Sequence, residues 1–179
     1  KAFALSLARM GYDILLHYHL SEEEARRTKT EIEAMGQRAH LLQADLANPK
    51  EIQSLFSQIS SILHSPPSIL RVLVNSAAVM PVGHPRELSL ENWDSALDLN
   101  LRAPFLMAQE AAKLMTEGGL VVNVSDIGAQ KTWSRYPSYA VSKSALESLT
   151  KVLARAFAPT IRVNAIAPGL VLQSDVVTP

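Results

Sequence analysis

The sequence predicts an α/β fold in which a doubly wound parallel sheet is covered by helices on both faces. Short apolar runs alternate with longer amphipathic segments along the chain. Glycine, Asn-Pro and serine signals fall at the junctions between them. The 179 residues, 47% of them hydrophobic, suffice for a single domain over 1–179 with a substantial core.

Residues 1–10 read as a helix stopped by Gly11, and residues 13–18 as a buried strand. Ser21 is expected to cap the next helix, with Glu24 completing a Ser-x-x-Glu capping box, and that helix runs to about Gly36. A strand over 39–44 follows, and Asn48-Pro49 opens a third helix as a cap with proline at its first position. Residues 70–75 form a strand, and Ser89 caps a long helical region reaching about Met115. The apolar run 119–125 is a buried strand, a helix carries residues 139–154, and 161–166 is the last strand. Strands separated by helices imply crossover connections, hence parallel pairing.

The composition excludes several functions. Lys plus Arg and Asp plus Glu both total 17, so charge offers no case for nucleic acid or an anionic membrane as partner. No apolar run approaches the length of a membrane span. There is no cysteine, hence neither a disulfide framework nor thiol catalysis, which is compatible with a cytoplasmic location.

Tyr139 and Lys143 carry the chemistry. Four residues apart on a helix, they share a face. An ammonium beside a phenol favours the phenolate, so Lys143 is expected to lower the Tyr139 pKa from about 10 and make it a proton donor near neutral pH. The alternative is an ordinary Tyr and Lys on a helix surface, because Tyr-x-x-x-Lys alone is common.

The surroundings of this pair resemble the short-chain dehydrogenase/reductase family over essentially the whole chain. The resemblance rests on Leu73-Val74-Asn75-Ser76-Ala77-Ala78, on Asn100 in Asp98-Leu99-Asn100-Leu101, and on the strand 119–125. Tyr139-Ala140-Val141-Ser142-Lys143 and the segment 161–169 ending in Pro168-Gly169 complete it. It implies a Rossmann-like nicotinamide-dinucleotide domain and an oxidoreductase. Asn75 and Ala77 would let the backbone approach the cofactor, Asp45 and Leu46 would lie at the adenine, and Pro168 and Gly169 would flank the nicotinamide. Lys143 would bind the nicotinamide ribose and Asn100 would hold a water for proton relay. Family members form dimers or tetramers through helices equivalent to about 90–115 and 137–158. The surplus of apolar residues at Ala145, Leu149, Val152, Leu153 and Ala156 agrees with a homotetramer.

The family binds pyrophosphate with a glycine-rich turn after its first strand. None of the seven glycines here forms such a run, while residues 1–8 are similar to the helix that follows that turn. The sequence therefore reads as a fragment, or the ordered part of a longer chain, without the first strand and the C-terminal part. A natural short protein is the alternative. At the end of the second strand, where the adenosine ribose lies in such folds, residues 17–21 contain no Asp or Glu. His19, Leu20 and Ser21 lead into a helix N-terminus that favours anions, so NADP(H) is favoured over NAD(H). His17 and His19 lack a carboxylate at ligand spacing, which speaks against a metal.

Asp126 stands thirteen residues before Tyr139, where most family members have a serine that donates to a substrate carbonyl. An ionised carboxylate only accepts. Either Asp126 is protonated, or it serves a substrate that presents N–H or gains a proton on nitrogen, or it merely braces its loop. Pteridine reductases and related dihydrofolate reductases of this family carry aspartate there, and His17-Tyr18-His19 and residues 145–150, 156–159 and 167–172 are also similar to theirs. Leu20 replaces their arginine, and Met80 stands where they place an aromatic against the pterin. Trp133 and Tyr136 could supply aromatic surface or simply pack their loop. The expected activity is NADPH-dependent reduction of a dihydropterin or dihydrofolate C=N bond through Asp126, Tyr139, Lys143 and Asn100. Reduction of a carbonyl is the alternative, and a non-catalytic binding protein the third reading.

Overall fold

The computed structural model describes residues 1–64, 67–131 and 133–169. The predicted likeness over 170–172 lies outside them. The chain divides into two compact units, Lys1–Ser68 and Ile69–Pro179. Among the described residues no helix is long and apolar enough to cross a membrane.

The first unit runs α1 (Ala2–Arg9), β1 (Ile14–Tyr18), α2 (Glu22–Glu33), β2 (Ala39–Gln43) and α3 (Pro49–His64). Gly11, at φ +91°, turns the chain out of α1 in the left-handed region that a side chain would resist. β1 and β2 pair in parallel from Ile14 opposite Ala39 to Tyr18 opposite Gln43. Ala8, Ile14, Ile32 and Ala39 bury together, with Leu5, Leu7 and Leu16 packed against them. Asn48 caps α3 by accepting from the Lys50 amide (3.0 Å), and Ile52, Leu55, Phe56 and Ile59 form its buried stripe at helical spacing.

The expected capping box at Ser21 does not form. Ser21 (φ −88°, ψ 58°) makes no side-chain cap bond, and Glu24 instead accepts from Arg27 one turn on (2.9 Å). Three successive glutamates open α2, and two arginines lie three to four residues further along. That i,i+3 and i,i+4 pairing competes for the carboxylate the box would need.

The second unit runs β3 (Val72–Asn75), α4 (Leu90–Leu97), a π-helical turn (Asp98–Arg102), α5 (Ala103–Leu114), β4 (Gly119–Val124), a 3₁₀ turn (Ile127–Ala129), α6 (Pro137–Phe157) and β5 (Ile161–Ile166). All three strands are parallel in the order β3-β4-β5. Ser89 caps α4, its hydroxyl accepting from the Asn92 amide (3.2 Å). The long helical region predicted to end near Met115 is thus interrupted at Asp98–Arg102, in the wider turn often found at functional sites. On α6, Tyr139, Ser142, Lys143, Leu146, Thr150 and Leu153 form one buried stripe. Of the surplus apolar residues, Leu153 joins that stripe, Ala145 and Leu149 are half-buried, and Val152 and Ala156 face solvent.

Candidate active site

Three consecutive residues at the exit of β4 meet one face of α6. Lys143 Nζ donates to the Val124 carbonyl (2.7 Å), the Ser125 hydroxyl to Glu147 Oε1 (3.1 Å), and the Tyr139 hydroxyl to Asp126 Oδ2 (3.0 Å). Successive side chains of an extended segment point to opposite sides, so Ser125 and Asp126 part to different turns of the helix. Asp126 is itself extended (φ −157°, ψ 146°), and its Oδ1 accepts from the Gly128 amide (2.5 Å), capping the 3₁₀ turn. Gly128 has no room for a side chain: a Cβ there would stand 2.8 Å from both Asp126 Oδ1 and Trp133 Cζ3.

The electrostatics reverse one expectation. Burial pushes the Tyr139 phenol well above its ordinary value, and Asp126 adds to this by its charge and by accepting the hydroxyl hydrogen. Lys143 was expected to pull it down. Its ammonium instead donates to Val124 and sits 5.8 Å from the centre of the Tyr139 ring, while the opposing carboxylate is in direct contact with the phenol. Burial also holds Lys143 below the usual lysine value, with Asp126 working in the opposite direction. Tyr139 is therefore kept neutral, as a donor requires, by different neighbours from those the spacing suggested.

Asn100 lies fully buried in the π-helical turn. Its Oδ1 accepts from the Val79 amide and its Nδ2 donates to the Val79 carbonyl (both 2.9 Å) and to Ser142 Oγ (3.0 Å). Ser142 in turn donates to the Tyr139 carbonyl (2.8 Å). The Asn100 side chain thus clamps residue 79, with both amide hydrogens in use. This fixes the segment entering Met80, which is 47% exposed. Gly83 N donates to the Arg135 carbonyl (2.9 Å), tying that segment to the loop before α6. There Trp133 and Tyr136 meet edge to face (6.1 Å, 64°), packing their own loop.

The sequence reading missed a buried ladder. Asn75 Nδ2 donates to Asn123 Oδ1 (2.9 Å), Asn123 Nδ2 to Thr150 Oγ1 (2.9 Å), and Thr150 Oγ1 to the Leu146 carbonyl (2.7 Å). Asn75 and Asn123 are register partners on β3 and β4. The available signal was Asn123 itself, an amide in an apolar strand that needs a partner when buried.

The residues expected at a dinucleotide divide between the units. In the first, His19, Leu20 and Ser21 are exposed, Leu20 by 82%. His17 Nε2–H donates to the Ala44 carbonyl (2.8 Å). Asp45 Oδ1 accepts from the Ala47 amide (2.9 Å), a turn aspartate by geometry, and Leu46 is buried. In the second unit Asn75 turns inward to Asn123, and Ala77 is exposed just beyond β3. Ile127 N donates to the Pro168 carbonyl (3.3 Å), which holds the Pro-Gly turn against the loop after Asp126. Among the described residues none stands within 4 Å of a Cβ placed at Gly169.

Comparison with known proteins agrees with these landmarks. A sequence model of the family described as enoyl-(acyl carrier protein) reductase matches residues 1–176. The chain is 31% identical to NADPH-dependent aldehyde reductase 2, chloroplastic, of Arabidopsis thaliana, covering 94% of this chain and 66% of that one. It is 32% identical to a short-chain type dehydrogenase/reductase of Picea abies, with 94% and 65% covered. The chain thus spans just under two thirds of the length of these relatives. Among solved structures, the landomycin C-6 ketoreductase LanV with bound NADP and rabelomycin superposes with a TM-score of 0.89 at 32% identity, covering 93% of this chain and 69% of that one. The promiscuous reductase LugOII, which catalyses keto-reduction at C1 in lugdunomycin biosynthesis, gives a TM-score of 0.89 at 34% identity, with 94% and 68% covered. The fold is the Rossmann-like α/β fold the sequence predicts, and the chain belongs to the short-chain dehydrogenase/reductase family.

Proposed function

We propose that the protein is an NADPH-dependent carbonyl reductase acting on an aldehyde or ketone. The observation that carries this reading is the Tyr139 hydroxyl, held neutral 3.0 Å from Asp126 and one helical turn from Lys143. A phenol is a donor for a carbonyl oxygen as it becomes an alkoxide, and turning from Asp126 to the substrate removes a contact that raises its pKa. Three of the proteins named above carry aldehyde or keto reduction in their names, one an aldehyde reductase and two acting on ketones.

The residues fit the cofactor. Lys143 is 3% exposed and its ammonium donates to one acceptor, which leaves two hydrogens for a ribose diol. Ala77 and Gly169 present small, open backbone. In the first unit the Ser21 hydroxyl makes no cap bond, and no acidic side chain stands at 19–21 to repel a 2′-phosphate. Bound NADPH supplies hydride to the carbonyl carbon. Tyr139 gives its proton to the oxygen, leaving Asp126 for the substrate as it does so. Lys143 steadies the phenolate that results, and Asn100 keeps the Val79–Met80 segment in place. The single NAD(P)-binding domain over 1–179 would work as a homotetramer. Exposed Val141 (46%) and Val152 (63%) on α6 and Phe105 (39%) on α5 support self-association.

A second reading is favoured by Asp126 itself. Its two oxygens accept from Gly128 and Tyr139, and an acceptor at this place suits the N–H groups of a dihydropterin or dihydrofolate. The assay that decides is NADPH oxidation by the purified chain with a panel of aldehydes and ketones beside dihydrobiopterin and dihydrofolate. Turnover of carbonyls, lost in Tyr139→Phe, is the expected result. Turnover of pterins alone would move the assignment to the second reading, and no turnover of either by protein that binds NADPH would remove both.

A further inference from the structure

We propose that Glu147 is a positioning residue: by holding the Ser125 hydroxyl it fixes the direction in which Asp126 faces. The inference rests on the reading of Asp126 and Tyr139 as the reacting pair.

Ser125 is 3% exposed and sits between two anchored neighbours. Its amide donates to the Ile166 carbonyl (2.7 Å), and the Val124 carbonyl before it takes the Lys143 ammonium. Its hydroxyl has one hydrogen and two acceptors, Glu147 Oε1 at 3.1 Å and the Lys143 carbonyl at 3.4 Å. The carbonyl alone would satisfy a buried serine. A half-buried carboxylate is a costly acceptor to place there, because its desolvation must be offset.

The geometry explains why it is there. Tyr139, Lys143 and Glu147 stand at i, i+4 and i+8 on α6, and each meets one of three consecutive residues, Asp126, Val124 and Ser125. With Ser125 drawn towards the Glu147 turn, alternation along the extended chain sends Asp126 to the opposite side, where Tyr139 lies. A carboxylate acceptor gives a hydrogen bond roughly twice as strong as a neutral one, so Glu147 holds the hydroxyl more firmly than the carbonyl alone would. Without that hold Asp126 would keep only its bond from the Gly128 amide and the backbone bonds of Ser125 and Ile127, and its contact with the phenol would loosen.

The test reads Tyr139 directly, without requiring turnover. Spectrophotometric titration of the full chain minus its Tyr139→Phe counterpart isolates one phenol among the four tyrosines. In the parent chain that phenol should stay neutral until alkali unfolds the protein. In Glu147→Leu and in Ser125→Ala, the phenolate should appear at least about one pH unit earlier, as expected when a carboxylate moves away. Glu147→Gln, whose amide oxygen still accepts from Ser125 but without the charge, should fall between the parent and Glu147→Leu. In an Asp126→Asn background, Glu147→Leu should add no further change, because it acts through Asp126. An unmoved phenol in Ser125→Ala, which removes one hydroxyl and should fold even if Glu147→Leu does not, overturns the proposal. So does a further change in the Asp126→Asn background. Failure of the carbonyl assay would bear on the proposed function and leave this result standing.

Discussion

Around Asp126 and Tyr139 the side chains that matter are locked: Asp126 by Gly128 and the phenol, Lys143 by Val124, and Asn100 by Val79 and Ser142. At residues 19–21 the situation is the reverse. The His19 carbonyl accepts from Gln43 Nε2 (3.0 Å), while Leu20 extends into solvent and Ser21 leaves its helix uncapped by any side chain. Backbone is held at one place and reacting atoms at the other. The contrast follows from what each region is proposed to do. A proton donor works only within a narrow geometry, which packing must fix before the substrate arrives. A phosphate is large, charged and gripped by several donors at once, so its site tolerates side chains that order on binding.

The largest expected effect tests the locked region. Tyr139→Phe should lower kcat for carbonyl reduction by about 10²–10⁴-fold, the range for loss of a general acid, in an assay of NADPH oxidation. The same substitution has a pH signature. Because the folded state holds the phenol proton above the unfolded value of about 10, Tyr139 contributes stability that is intact below that pH and is lost as pH rises beyond it. The parent chain should therefore lose more Tm than Tyr139→Phe between about pH 9 and pH 11. Equal losses in thermal melts would mean that Asp126 and burial do not hold the proton as the geometry indicates.

The locked region was also the more legible one in the sequence. Helical period alone placed Tyr139 and Lys143 on one face, because that rule follows from backbone geometry. The sign of the phenol's displacement was not legible. It depends on whether ammonium or carboxylate lies nearer the hydroxyl, and spacing does not encode that. The π-helical turn at Asp98–Arg102 was hidden for a similar reason: one extra residue in a helix leaves the apolar pattern almost unchanged. Asn123 and Thr150 announced themselves only as polar residues in apolar company, without naming each other. Near Ser21 a sound local rule failed because neighbouring arginines offered the glutamates another partner.

Gly128→Ala should separate activity from stability within the locked region. The new Cβ would stand 2.8 Å from Asp126 Oδ1 and from the Trp133 ring, so these side chains must give way. Overpacking of this kind should cost roughly 1–3 kcal/mol in urea denaturation. Movement of Asp126 should also lower kcat by about tenfold or more with little change in the KM for NADPH, since misplacement of a catalytic group by a fraction of an ångström is expensive. A stability loss with kcat intact would show that the contact between Asp126 and Tyr139 tolerates displacement, and would weaken the contrast drawn above.

The smallest expected effects compare two serines that the sequence placed in the same role. Ser89 accepts from the Asn92 amide at the start of α4, and Ser21 accepts from no amide at the start of α2. Ser89→Ala should therefore cost about 1 kcal/mol, the usual loss for an N-cap, whereas Ser21→Ala should fall within about 0.5 kcal/mol. Both are measurable as shifts in denaturation midpoint at unchanged slope. If Ser21 is kept for a ligand, its removal should raise the KM for NADPH more than the KM for NADH, because only the former carries a 2′-phosphate. Loss of stability in Ser21→Ala with unchanged preference between the two nucleotides would mean that the serine caps α2 in solution after all, and the open region would then be as locked as the catalytic one.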